Sequence, residues 1–269
     1  MVTAYQYVQA RREGAALVVT MANPPRNLMN SVMVAELTTI ADDVAAAGDV
    51  RAVILTGGVE GIFITHYDVG ELSAISDIAR RSETLGKGGE LHDTHKLFLK
   101  LQSLPQPVIA AINGTAMGGG CELALACDFR LMASVPGAVI GLPEVRVGIL
   151  PGAGGTQRMT RLLGVAKAME LMLLGNALAP EEAERIGLVH RAVEPEKLID
   201  EALHLAEQLA QRPPASVALI KQCILRGVEM PLEDALLFEQ EAFWKTMRSD
   251  DASRLMREYT KSKRPLNEQ

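Results

Sequence analysis

The chain has 269 residues, 48% hydrophobic and 22% charged, which suits a folded globular protein and not a disordered one. Its net charge is -6 with a pI near 5.5, and its 27 basic residues form no long run. That excludes the broad basic footprint of a nucleic-acid binder and leaves room only for a small positive pocket. Three cysteines (Cys121, Cys127, Cys223) are too few for a disulfide framework, and no CxxC suggests structural zinc. No window approaches the ~18 apolar residues of a membrane span. The opening MVTAYQYVQARREG lacks the basic-then-apolar order of a signal peptide. The expectation is a cytoplasmic protein with reduced thiols and no membrane partner.

Residues 15–21 (AALVVTM) and 50–56 (VRAVILT) read as buried strands, and 31–47 between them as a helix opening at Ser31 as N-cap. Strand, helix, strand over some forty residues predicts a βαβ unit and a parallel sheet. Segment 71–104 is broken by Gly86, Gly88 and Gly89 and predicts helices around a mobile middle. PVIAAI (107–112) reads as a strand, GTAMGGG as a tight loop and CELALACD (121–128) as a helix. FRLMA (129–133) and AVIG (138–141) read as strands, then 165–174 and 180–186 as helices, the second with Pro180 in its first turn. From Pro195 the composition turns to Ala, Glu, Leu and Lys, and four helical stretches follow. The division expected is a strand–helix core over 1–195 and a helical region over 196–269.

Two glycine loops are the candidates for chemistry, although the first, taken alone, reads more readily as a plain glycine-rich turn between strand and helix. In Asn113-Gly-Thr-Ala-Met-Gly-Gly-Gly-Cys-Glu122, three glycines between strand and helix leave room for a ligand. The first N–H groups of the helix point into that space, where an anion or developing oxyanion is stabilised. The spacing is not GxGxxG with an acid on the next strand, so dinucleotide binding is a poor reading. Twenty-two residues after Glu122, Glu144 follows a proline in a loop leaving a strand, and PGAGGT then opens another helix. Alone, Glu144 reads as a solvated acid paired with Arg146. Two glycine-lined loops with one acid each make that reading harder to hold.

NGTAMGGGCELALACD, GLPEVRVGILPGAGGTQRMTRLLG and APEEAERIGLVHRAV, in that order, resemble the enoyl-CoA hydratase/isomerase family, the crotonase fold. PPRNLMNS (24–31) and AVILTGG (52–58) are similar to its CoA-contacting loop and second strand. The resemblance implies an α/β fold, a spiral of ββα turns with a C-terminal helical trimerisation region, forming a homotrimer or hexamer. It implies oxyanion donors at the backbone N–H groups of Gly119 and of Tyr67. The latter stands in Thr65-His66-Tyr67-Asp68, where the family usually reads AGAD. The N–H survives that exchange, while the ring alters the pocket wall. The family's two hydratase acids fall on Glu122 and Glu144; relatives resembling isomerases usually keep only the second.

Substrate contacts are implied at Arg26, Asn27, Leu28, His66, Asp68, Gly118, Gly120, Pro143 and Gly152. The adenine would lie near 67–72, where Gly70 replaces a frequent Lys, and Lys261, Lys263 and Arg264 would reach a neighbouring subunit's CoA. The reaction implied is hydration of a trans-2-enoyl-CoA to a 3-hydroxyacyl-CoA. No metal or redox cofactor is called for, CoA being part of the substrate. Isomerase, decarboxylase or hydrolase chemistry on the same fold stays open, as does a non-catalytic acyl-CoA binder.

Other residues have plainer readings. His92 and His95, near Glu90 and Asp93, have metal-ligand spacing but read better as a solvated helix face. His66 divides evenly between a polar pocket residue and a structural histidine. Cys121 and Cys127 read as small core residues, Asp128 as structural, and Phe243 and Trp244 as core or subunit contact.

Overall fold

The computed structural model describes residues 5–87 and 89–262, so Gly88, Lys263 and Arg264 lie outside the described residues. β1 (Val8–Glu13) runs antiparallel to β2 (Ala16–Met21), and α1 (Ser31–Ala46) returns the chain so that β3 (Ala52–Gly57) lies parallel beside β2. There follow β4 (Gly61–Ile64), α2 (Val69–Ala79), α3 (Asp93–Ser103), β5 (Val108–Ile112), β6 (Gly114–Met117) and α4 (Gly119–Leu125). Next come β7 (Phe129–Ala133), β8 (Ile140–Gly141), α5 (Gly155–Leu163), α6 (Val165–Leu174), β9 (Ala177–Leu178), α7 (Pro180–Arg185) and β10 (Arg191–Val193). Four helices end the described chain: α8 (Leu198–Ala210), α9 (Pro214–Gly227), α10 (Leu232–Met247) and α11 (Asp250–Ser262).

The strands form two sheets, ordered β1-β2-β3-β5-β7-β10 and β4-β6-β8-β9. Three successive turns of chain (β3–β4, β5–β6, β7–β8) each lay one strand in either sheet before turning helical, which makes a spiral of strand, strand, helix. Along β3 and β5 the side chains alternate between two cores. Val53, Leu55, Val108, Ala110 and Ile112 face the α1 and α3 side, while Ala52, Ile54, Ile109 and Ala111 meet Leu198, Ala202 and Ala206 of α8. Both faces are covered, which is why these strands are apolar apart from Thr56 near the end of β3. The first of the four C-terminal helices is thus part of the core.

The expected elements between residues 15 and 56 are present, as are those from 129 to 133 and from 165 to 174. Three expectations need correction. GTAM is strand β6, not loop: it pairs in parallel with β4 and β8, a tertiary contact that its glycine hides. The N-cap of α1 is Asn30, whose side chain accepts from Met33 N at 2.9 Å, and Ser31 is the first helical residue. Phe243 and Trp244 stack edge-on at 5.3 Å but are 52% and 48% exposed, so neither is core of this chain. Helices α2 and α3 flank a stretch within 71–104 that holds no helix among the described residues. β1, β4, β9 and β10 add strands that the sequence reading did not anticipate.

Candidate active site

Three neighbouring parallel strands, β4, β6 and β8, end at one edge of the smaller sheet. The segment after β4 carries Tyr67, the turn after β6 carries Gly118 and Gly119, and the turn after β8 carries Glu144. Gly118 has φ +50°, a conformation that a glycine adopts freely, and its N–H donates to Gly141 O at 2.9 Å, tying β6 to β8. Its carbonyl accepts from Glu122 N at 2.9 Å. Because a trans peptide is planar, the Gly119 N–H then points out of the start of α4.

The same rule aims the second donor. His66 O accepts from Met29 N at 3.0 Å, so the Tyr67 N–H in that peptide faces the opposite way. A methyl group built on Gly119 would lie 3.5 Å from Tyr67 N, so the two N–H groups border one small space. Among the described residues neither donates to a protein acceptor. This is the geometry of a site for a developing oxyanion.

Two carboxyl groups lie close enough for the charge of one to act on the other, and the Oε1 of Glu144 borders Gly118. Glu122, in the first turn of α4, is 3% exposed, and its Oε1 accepts from Ala153 N and Gly155 N at 2.8 Å each. Burial raises its pKa, and the two N–H bonds, which favour the charged form, oppose that rise. Glu144 opens a short 3-10 helix over Glu144–Val147. Its Oε1 would stand 3.1 Å from a methyl group on Gly118, and its Oε2 is buried with no protein hydrogen-bond partner. Burial, reinforced by the charge of Glu122, pushes the Glu144 carboxyl up to about 7. One acid is thus held by donors and the other is poised to keep a proton near neutrality.

The chain matches the model of the enoyl-CoA hydratase/isomerase family over residues 11–269. It is 39% identical over 242 residues to a short-chain-enoyl-CoA hydratase of Clostridium acetobutylicum, covering 89% of each chain. It is 36% identical over 244 residues to a crotonyl-CoA hydratase of Syntrophomonas wolfei, again covering 89% of each. Among solved structures, an enoyl-CoA hydratase from Bacillus anthracis superposes with a TM-score of 0.86 at 32% identity, covering 97% of this chain and 98% of that one. The chain belongs to the enoyl-CoA hydratase/isomerase family. Its fold is the crotonase fold.

Tyr67, in the place where the family usually carries a small residue, does not leave its phenol free. The hydroxyl donates to Glu71 Oε2 at 2.9 Å, and Glu71 also accepts from Ser31 N at 3.0 Å and Ser31 Oγ at 2.9 Å. Burial, and then this bond, hold the phenol's pKa above its ordinary value. His66 is half-buried between Arg26 and the Tyr67 carbonyl. Asp68 caps α2, accepting from Gly70 N at 2.7 Å and Glu71 N at 3.3 Å.

The other expected contacts fall into two groups. Arg26 is exposed and Leu28 half-buried on the loop beside the oxyanion segment, and Pro143 directly precedes Glu144. Asn27 is wholly buried with φ +48°; its amide donates to Met21 O and Phe63 O and accepts from Asn23 N, so its side chain holds the loop together. Gly120 is a packing residue, since a methyl group there would meet Ile64 O at 2.3 Å. Gly152 is exposed, outside the glycines that touch Glu122.

Arg146 makes no ion pair with Glu144 among the described residues. Asp128 is structural, accepting from Val108 N at 2.7 Å and from Lys221 Nζ at 2.7 Å. His92 Nδ1 accepts from Thr94 N at the head of α3.

Two supports of the site escaped the sequence reading. The N–H groups that hold Glu122 come from the PGAGGT loop, which was read only as a place of close approach. Arg158, five residues past Ala153, donates to Ala153 O at 3.0 Å and to Gln102 at 3.2 Å, fixing that loop against α3. Its place in the GTQR stretch was the only available signal.

Proposed function

We propose that this chain is an enoyl-CoA hydratase that adds water across the double bond of a trans-2-enoyl-CoA to give the 3-hydroxyacyl-CoA. The observation that carries the reading is the pair of unlike carboxyl groups beside two unused backbone N–H groups. Glu122, its carboxylate favoured by two N–H bonds, takes a proton from water as the water oxygen bonds to C3. The electron pair of the double bond moves onto the thioester oxygen, where the N–H groups of Tyr67 and Gly119 hold it. Glu144, with its raised pKa, gives its proton to C2 as the enolate collapses. One proton enters the protein and one leaves, so atoms and charge balance with no metal or redox cofactor.

The loop at Arg26–Leu28 offers the CoA side of the site one exposed guanidinium. Isomerisation, decarboxylation or thioester hydrolysis would use the same two N–H groups. The retention of Glu122, buried and held, favours hydration among them. The apolar residues left open on α9, α10 and α11 support a homotrimer or a pair of trimers.

The test is to follow the ultraviolet absorbance of the conjugated thioester with trans-2-enoyl-CoAs of graded chain length. Rapid loss of absorbance that depends on length is the expected result and sizes the acyl pocket. Tight binding of the same esters without any loss would overturn the reading.

A further inference from the structure

His66 lies where the resemblance leads one to expect glycine, and its ring is fully engaged. Nδ1 is 2.7 Å from Tyr67 O, and Nε2 is 3.0 Å from Arg26 Nη2. A carbonyl only accepts and a guanidinium only donates, so the two contacts permit a single state of the ring: protonated at Nδ1, bare at Nε2, neutral overall. Neither the opposite tautomer nor the imidazolium can make both bonds.

The bonds join two segments that run side by side. Thr65 N donates to Asn27 O at 3.2 Å, Met29 N to His66 O at 3.0 Å and Asp68 N to Met29 O at 2.7 Å. The Thr65 hydroxyl donates to Arg26 O. All of these fix the backbone. Among the described residues the ring of His66 alone connects the charged end of Arg26 to the peptide that follows the Tyr67 N–H. Its Cβ also stands 3.5 Å from where a side chain on Gly118 would begin, so the residue borders the β6–α4 turn.

We propose that His66 is a positioning residue which, as the Nδ1–H tautomer, locks the Arg26 guanidinium to the oxyanion segment, so that the CoA-side contact and the oxyanion donor are held as one unit. This rests on the reading of the Tyr67 N–H as an oxyanion donor. Arg26 has donors to spare, so an anionic group of the substrate can engage it while one Nη stays on His66.

The experiment uses the full chain labelled with ¹⁵N-histidine and two-bond ¹H–¹⁵N spectra of the five imidazoles. The His66 ring is assigned by the signal lost in His66→Asn. The expected spectrum has Nδ1 protonated and Nε2 bare, with the Nε2 signal moving in Arg26→Ala. A ring protonated at Nε2, or a ring indifferent to Arg26→Ala, would overturn the lock. In kinetics, His66→Ala is expected to lower kcat about tenfold, short of the roughly 10²–10³ that loss of an oxyanion donor costs. His66→Asn, which keeps a donor for Tyr67 O, should recover most of that loss, and Arg26→Ala should act mainly on KM. Equal kcat in His66→Ala and the parent chain would overturn the positioning role. Should the parent chain show no hydration, the proposed function fails, while the spectra still decide the lock.

Discussion

Glu144 and Glu122 are the same residue type under different local rules, and their difference is the most testable property of the site. Burial pushes the Glu144 carboxyl from 4.5 up to about 7. If it supplies the proton to C2, kcat/KM for hydration should fall above about 7 as that proton is lost, and should fall on the acid side as Glu122 becomes protonated. Glu144→Gln should remove the alkaline limb and leave a low rate that still falls on the acid side. The stability sign is separate. The folded chain holds this proton more tightly than the unfolded one, so the contribution of Glu144 to stability declines as pH rises from 4.5 to about 7. Melting temperatures of Glu144→Gln should therefore vary less with pH across that window.

Glu122→Gln and Glu144→Gln should each slow hydration by roughly 10²–10⁴-fold with the fold intact, checked by rate and circular dichroism together. Near-parent rates in both would remove the two-acid assignment. Both glutamates were visible in the sequence because each sits in a long motif. Their protonation states were not, since the donors to Glu122 lie 31 and 33 residues further along the chain. The roles of Asn27 and His66 were hidden for the same reason: a side chain's direction is set by partners that spacing cannot reveal.

At the level of elements, the sequence revealed what depends on local pattern and missed what depends on partners. Apolar runs marked β2, β3, β5 and β7, and helical spacing marked α1 and α6. β6 was missed because a strand that opens at glycine has no apolar run, and its two neighbours come from elsewhere in the chain. That short strand delivers Gly119 and Glu122, so its packing is linked to the chemistry. Gly120→Ala puts a methyl group 2.3 Å from Ile64 O, a backbone atom that cannot swing aside. The expected outcome is a lower melting temperature and a larger loss of hydration, because α4 must shift and carry the Gly119 N–H with it. Gly48→Ala, with open space around it, is the control and should stay within about 0.5 kcal/mol of the parent.

For the molecule as a whole, the ion pairs that join the C-terminal region to the core include, among the described residues, exposed ones such as Arg161–Glu229 and Arg191–Glu201 and one that is buried. Lys221 of α9 donates to Asp128 at 2.7 Å and to Gln106 O at 3.2 Å, with the pair 9% and 15% exposed. Breaking a buried pair from one side leaves a charge without its partner. Lys221→Met should lose about 3–5 kcal/mol in denaturant unfolding, and pairing it with Asp128→Asn should restore part of that. Among the described residues α10 packs chiefly on α9 and α11, leaving Leu236, Leu237, Phe243 and Trp244 open. Sedimentation should find a trimer or hexamer, and Trp244→Glu should shift it toward smaller species. A monomeric parent chain would remove the assembly reading. The helical character of this third was plain from composition; which faces stay uncovered was not, because a lone sequence does not say where its neighbours are.

The seven-residue helix α4 is gripped at both ends. In the proposed reading its first N–H groups face the reaction, and Asp128, just past its last turn, is bonded to Lys221 in the arm that would carry neighbouring subunits. At 1.5 Å per residue that distance is about 10 Å. If the arms assemble as proposed, quaternary structure and chemistry would share one short, stiff rod, and a change in how the arms are seated would be felt as a change in turnover. For this chain, catalytic rate would double as a gauge of assembly.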